Sequence, residues 1–179
     1  MHLASEEAAN ETPYFAHYKI VVKGIYAYFS NSYKRMYELK KIKEDMDVPD
    51  LTILNVCDTR WLSWSNVINN FHQIIEPIQE ALQHDYDSSN TAKFLYNAMD
   101  TEFLIVTKFF ADIFFILKKI ILVFQSDYIS LSETRSQLVM AYESITANFI
   151  GSAEILPKYG THLRKFMEEM ELQHEDLPG

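Results

Sequence analysis

A chain of 179 residues is long enough for one domain of ordinary size, and 48% hydrophobic with 14% aromatic content excludes a disordered tail. With only 4 Gly and 5 Pro a turn-rich β-sandwich or barrel is disfavoured, and the single cysteine, Cys57, excludes an internal disulfide framework and a Cys-rich zinc module. A net charge of −9 argues against autonomous, non-specific binding to a phosphate backbone.

The first twenty residues lack a cationic segment followed by an apolar one, so no secretory signal is expected, and Glu6 and Glu7 weigh against a transit peptide. Thr12 and Pro13 have the N-cap and first-turn chemistry of a helix start. Beyond them Phe15, Tyr18, Val22, Ile25 and Phe29 recur at steps of three and four, with Gly24 a weak point in that helix. Ser30, Asn31 and Ser32 break or re-cap the chain, and a basic helix is predicted over 33–45. Residues 46–50 form a turn, because Val48 precedes Pro49 and is pushed out of the α region.

Residues 51–56, LTILNV, are the one stretch predicted to be extended, and they lead into Cys57-Asp58-Thr59-Arg60-Trp61. A helix resumes near residue 65, with Val67, Phe71, Ile74, Ile78 and Leu82 on its apolar face and a kink expected at Pro77. After the polar connection 84–90 come a short helix over 91–98 and a long apolar one over 103–124. The long one could span a bilayer by length alone. However, Lys108, Asp112 and Lys119 share a stripe that Thr107, Lys118 and Gln125 widen to about 140°, at about 100° per residue. A single lipid-spanning helix would not keep such a stripe, so no membrane span is expected.

Ser126 and Asp127 end the long helix, and Ser130 with Glu133 has the spacing of a capping box for the next. There Leu138, Tyr142, Ile145 and Phe149 again step by three and four, and Gly151 and Ser152 stop the helix. A last helix from about residue 159 carries Leu163, Phe166, Met167 and Met170. The expectation is an all-α chain, one helical region over 1–179, with no dividing linker and no separate zinc finger.

The six histidines show no metal-ligand spacing and are expected at the surface or at caps. The acid pairs, Asp45 with Asp47 and Asp85 with Asp87 among them, sit in polar stretches near helix ends, where solvated carboxylates are ordinary. Cys57 has no neighbouring histidine to activate it. No catalytic residue and no metal ligand is expected.

Two segments carry binding chemistry. Lys34, Arg35, Lys40, Lys41 and Lys43 interleave with Tyr33, Met36, Tyr37, Leu39 and Ile42, which suits a phosphate-facing helix. The same pattern suits the solvated face of an amphipathic helix, with Glu38, Glu44 and Asp45 cancelling part of the charge. Arg60 and Trp61 together offer a guanidinium fork and a large π-face, the groups that suit a phosphate and an unstacked base.

In order and spacing, PYF…IYAYFSNSYKRMYELK, CDTRWLSWSNVINNFHQIIEPIQEAL and FLIVTKFFADIFFILKKIILVFQSDYISLSE resemble hAT-type DNA transposases and the cellular genes derived from them. Thr59-Arg60-Trp61 is the sharpest match, and the resemblance covers roughly residues 14–177. It implies a helical insertion domain from a split RNase H-like catalytic fold. In that family an acidic triad holds divalent metal, Mg²⁺ or Mn²⁺, and the tryptophan helps hold a flipped base at a hairpin DNA end. The resemblance maps that role onto Trp61 and places Arg60 near the DNA backbone.

No acid of this chain maps onto the triad, and the family's zinc finger and dimerisation segment have no counterpart here. Strand transfer needs carboxylates to hold both metal ions. The chain is therefore expected to be a non-catalytic fragment or domesticated relative without its own cofactor, making an auxiliary contact to hairpin or unpaired DNA ends. The alternative is a helical protein-interaction module without nucleic-acid binding, associating with itself or a protein partner through exposed apolar faces. A nuclear or cytoplasmic location is expected, the nucleus by resemblance alone.

Overall fold

The computed structural model describes residues 13–56, 61–125, 130–151, 157–174 and 177, and for Pro13, Trp61 and Leu62 the backbone only. Among the described residues the chain is all-helical, with eight α-helices and no strand. They are α1 (Pro13–Ser30), α2 (Tyr33–Asp45), α3 (Trp61–Phe71), α4 (Ile75–His84), α5 (Asn90–Ala98), α6 (Thr101–Phe124), α7 (Leu131–Ile145) and α8 (Thr161–Glu169). A π-helical turn, Thr146–Ile150, extends α7. The chain divides into two compact units, Met1–Leu104 and Ile105–Gly179, with the boundary inside α6.

Helix starts follow local side-chain chemistry. Ser32 accepts a hydrogen bond from the Arg35 backbone N–H, Ser89 from that of Ala92, and Ser130 from that of Glu133. Asp100 does the same for Phe103 at the start of α6, at 2.9 Å. Each supplies one acceptor to donors that a helix leaves unpaired in its first turn. α1 begins at Pro13, as its fixed φ favours; Thr12 lies outside the described residues.

In the first unit Phe15, Tyr18, Val22, Ile25 and Phe29 are all buried, so the three-four pattern of α1 marks its core face. Tyr18 stacks on Phe103 at 4.7 Å between ring centroids, and Phe71 meets Phe103 edge-on at 6.1 Å. Gly24, a weak point by helix propensity, lies where α1 meets α5. A Cβ there would stand 2.9 Å from Leu95 Cδ2, so the missing side chain permits the close approach.

Pro77 ends one helix and opens another rather than kinking a single one. Its ring would collide with the carbonyl of residue 73 in a continuous helix. α3 stops at Phe71, residues 72–74 turn, and Pro77 falls in the first turn of α4, where its missing N–H is not needed. Val67, Phe71, Ile74, Ile78 and Leu82 remain buried across the break.

The segment predicted to be extended has neither helix nor strand at residues 48–56, and it has no partner strand among the described residues. It is tied down by side chains instead. Asn70 Nδ2 donates to the Thr52 carbonyl at 3.1 Å, and Lys43 Nζ to the Leu51 carbonyl at 3.0 Å. Ile53 and Val56 are buried.

In the second unit Ala111 and Phe114 of α6 and Leu163, Phe166 and Met167 of α8 are buried. Phe109 meets Phe149 edge-on at 5.0 Å. No helix among the described residues is long and apolar enough to cross a membrane.

Candidate functional site

The basic helix α2 sorts its cations into two groups. Arg35 turns inward: its guanidinium lies 3.9 Å from the Tyr28 ring centroid, Nη1 donates to the Tyr28 carbonyl at 3.2 Å, and Nε stands 3.5 Å from Asp85 Oδ2. The Tyr28 hydroxyl donates to the same carboxylate at 2.5 Å. Burial, and then this bond to Asp85, push the Tyr28 phenol up to about 12. Asp85 thus clamps α1 and α2 to the end of α4, where the sequence suggested an ordinary solvated acid.

Lys43 is also withdrawn. It is buried and donates to Asp50 as well as to the Leu51 carbonyl. The Lys43 ammonium in turn holds the Asp50 carboxyl below the usual carboxylate range, and more distant Lys40 adds to the effect. A buried lysine needs such partners, because an unpaired ammonium out of water is costly.

Lys34, Lys40 and Lys41 stay exposed. Lys34 lies 3.7 Å from Glu38 and Lys40 3.9 Å from Glu44, each pair one helical turn apart. Exposed pairs of this kind contribute only about 0.3–0.5 kcal/mol and leave the cations accessible. Tyr33 is 88% exposed and Tyr37 57%, although the sequence pattern alone did not say which side of α2 they take.

Of the Arg60–Trp61 pair, Arg60 lies outside the described residues together with Cys57, Asp58 and Thr59. Trp61 is the first residue of α3, whereas the sequence placed the helix start near residue 65.

Titratable groups elsewhere serve the fold. Asp112, which the sequence placed on the polar stripe of the long helix, is buried. Its two oxygens accept the backbone N–H groups of His162 at 3.1 Å and Leu163 at 2.9 Å. They cap α8, whose own N-cap, Gly160, has no side chain for the task. His72 is buried, against the expectation of surface histidines, while His84 is exposed and pairs with Glu80 at 3.1 Å. Among the described residues no three His, Cys, Asp or Glu side chains converge on a point that could hold a metal ion.

The second surface is apolar. On α7 the side facing the rest of its unit buries Thr134 and Ala141. The predicted ladder of Leu138, Tyr142, Ile145 and Phe149 is only partly covered: Leu138 is 44% exposed and Tyr142 72%, while Ile145 and Phe149 are half-buried; Leu131, at the start of α7, is 86% exposed. Val139 and Met140 are exposed beside them. The hydroxyls of Thr134 and Thr146 are buried with no hydrogen-bond partner among the described residues.

No protein-family model, curated protein or solved structure matches the chain.

Proposed function

We propose that this chain is a non-catalytic helical binding module of hAT-transposase descent, working chiefly by protein association through the outward ladder of α7, in the first place with a second copy. The observation that carries the reading is the exposed side of α7, which leaves Leu131, Leu138 and Tyr142 in water, while among the described residues the Thr134 and Thr146 hydroxyls are buried without a partner. Burying a large apolar side chain is worth about 1.5–3 kcal/mol, so a partner helix laid on the ladder would recover much of that. Steps of three and four are the knob pattern by which helices pair, and Arg135, which falls within the ladder, is the kind of polar residue that sets register. Static light scattering at about 100 µM, a concentration at which a weak contact is populated, tests this. Dimers or larger species that become monomers in Leu138→Glu/Tyr142→Glu are expected, and a monomeric wild type would sink the reading.

A second reading adds an auxiliary contact to hairpin or unpaired DNA ends at Arg60 and Trp61. It is supported by the position of Trp61 in α3 and by the guanidinium and π-face that the Arg60-Trp61 pair offers. Salt-sensitive binding of a hairpin oligonucleotide, lost in Trp61→Ala, is the expected result; equal binding by that variant would remove the role. Neither reading routes a step through Mg²⁺ or Mn²⁺, and the nucleus is proposed as the location by resemblance alone.

A further inference from the structure

We propose that the solvent face of α2 is a separate nucleic-acid site: Tyr33 and Tyr37 stack bases of an unpaired strand, and Lys34, Lys40 and Lys41 hold its phosphates. The site involves neither α7 nor Arg60 and Trp61.

α2 does not need its outer face for packing. Its inner side is supplied by Leu39 and Ile42, both buried, and by Arg35 and Lys43, each committed to its own partners. Tyr33 and Tyr37 contribute little to that packing, being 88% and 57% exposed. They stand one helical turn apart, which sets their Cβ atoms about 6 Å from each other on one face. At about 100° per residue, Tyr33, Tyr37, Lys34, Lys40 and Lys41 share an arc of about 120°. Glu44 is the one acid within the arc; Asp45 lies about 20° and Glu38 about 40° beyond its edge.

A solvated face explains the lysines but gives no reason for two exposed rings among them. An apolar protein partner would explain the rings but would meet three ammonium groups. An unpaired nucleic-acid strand satisfies both, since every base has a π-face and every link a phosphate. The net charge of −9 belongs to the whole chain, while the local arc is cationic. A duplex keeps its bases stacked inside, so the rings have nothing to gain from it, and single strands should be preferred.

Fluorescence anisotropy tests this with labelled oligonucleotides of about 20 nucleotides, as single-stranded DNA, single-stranded RNA and duplex DNA. Either single strand should bind several-fold more tightly than the duplex. Three phosphate contacts on a single strand predict an affinity loss of about 20-fold between about 50 and 200 mM salt. Tyr33→Ala/Tyr37→Ala should weaken binding at least about fivefold with little change in salt slope, and Tyr33→Phe/Tyr37→Phe should restore it. Lys34→Glu/Lys40→Glu/Lys41→Glu should abolish it, while Lys165→Glu on α8 should not alter it. No binding at about 100 µM protein and about 50 mM salt would overturn the proposal, as would equal binding by the alanine variant or by the duplex. Loss of binding in Trp61→Ala with no effect of the tyrosine pair would assign the strand to Arg60 and Trp61 instead. The Leu138→Glu/Tyr142→Glu variant should bind like wild type, which separates this site from the α7 reading.

Discussion

The carboxylate of Asp112 occupies the space in which a side chain at Gly160 would begin. A Cβ on Gly160 would come within 2.2 Å of Asp112 Cγ, and that carboxylate bonds the first N–H groups of α8. The backbone of Gly160 is extended, at φ −75° and ψ 172°, a conformation any residue adopts. The glycine is therefore required by the neighbouring carboxylate and not by its own torsions.

A double-mutant cycle should expose this dependence. Asp112→Ala removes the two side-chain acceptors that cap α8 and should cost about 2 kcal/mol. Gly160→Ala should cost about 2–3 kcal/mol, because the carboxylate must leave its donors or the helix must shift. In the Asp112→Ala background, where the Cβ at 2.4 Å remains but the carboxylate atoms are gone, the same glycine change should cost measurably less than in wild type. Urea unfolding of the four proteins checks it, and additive losses would refute the account.

Tyr28 predicts an alkaline effect. Its phenol is raised to about 12 by burial and then by its bond to Asp85, against about 10 in an unfolded chain. A raised pKa contributes stability that is fully present below about 10 and is lost as pH rises through about 12. Tyr28→Phe should be less stable at pH 7 by about 2 kcal/mol, the worth of a hydrogen bond to a charged acceptor. It should also lose less between about pH 10 and 12 than wild type does. Parallel curves for the two proteins would count against it.

Lys43 and Asp50 predict the opposite limb. The Asp50 carboxyl is held low chiefly by its hydrogen bond to Lys43, so its contribution is present above the unfolded value of about 3.9. That contribution is lost as pH falls through the lowered folded value. Asp50→Asn should be less stable than wild type at neutral pH and should show a shallower acid limb in thermal unfolding scans. An unchanged acid limb would mean that Lys43 is satisfied by the Leu51 carbonyl alone.

The outward ladder of α7 should separate association from stability. Leu138→Glu and Tyr142→Glu should each change the stability of the dilute monomer by less than about 0.5 kcal/mol, as exposed substitutions do. Phe166→Ala, on the buried face of α8, should cost about 3–5 kcal/mol. Chemical denaturation at low protein concentration gives the comparison. A loss of core-like size at Leu138 would mean that the ladder is packed in solution within the same chain.

Among the described residues, what the sequence by itself determined was where several helices begin and which side of α1, α3 and α4 is buried. Ser32 and Ser130 cap donors three residues away, and the ladder from Phe15 to Phe29 lies within one helix. Such signals are complete within a few residues, so no knowledge of distant partners is needed. Tertiary structure decided what depends on residues far apart. It withdrew Arg35 to Tyr28 and Asp85 and Lys43 to Asp50 and Leu51, leaving Tyr33, Tyr37 and three lysines as the open face of α2. It moved Asp112 from a solvated stripe to the end of α8 and turned the small side of α7 inward. Periodicity tells that a helix has an apolar side, but which side is covered depends on the shape of its neighbours, and small residues such as Thr134 and Ala141 allow the closer approach.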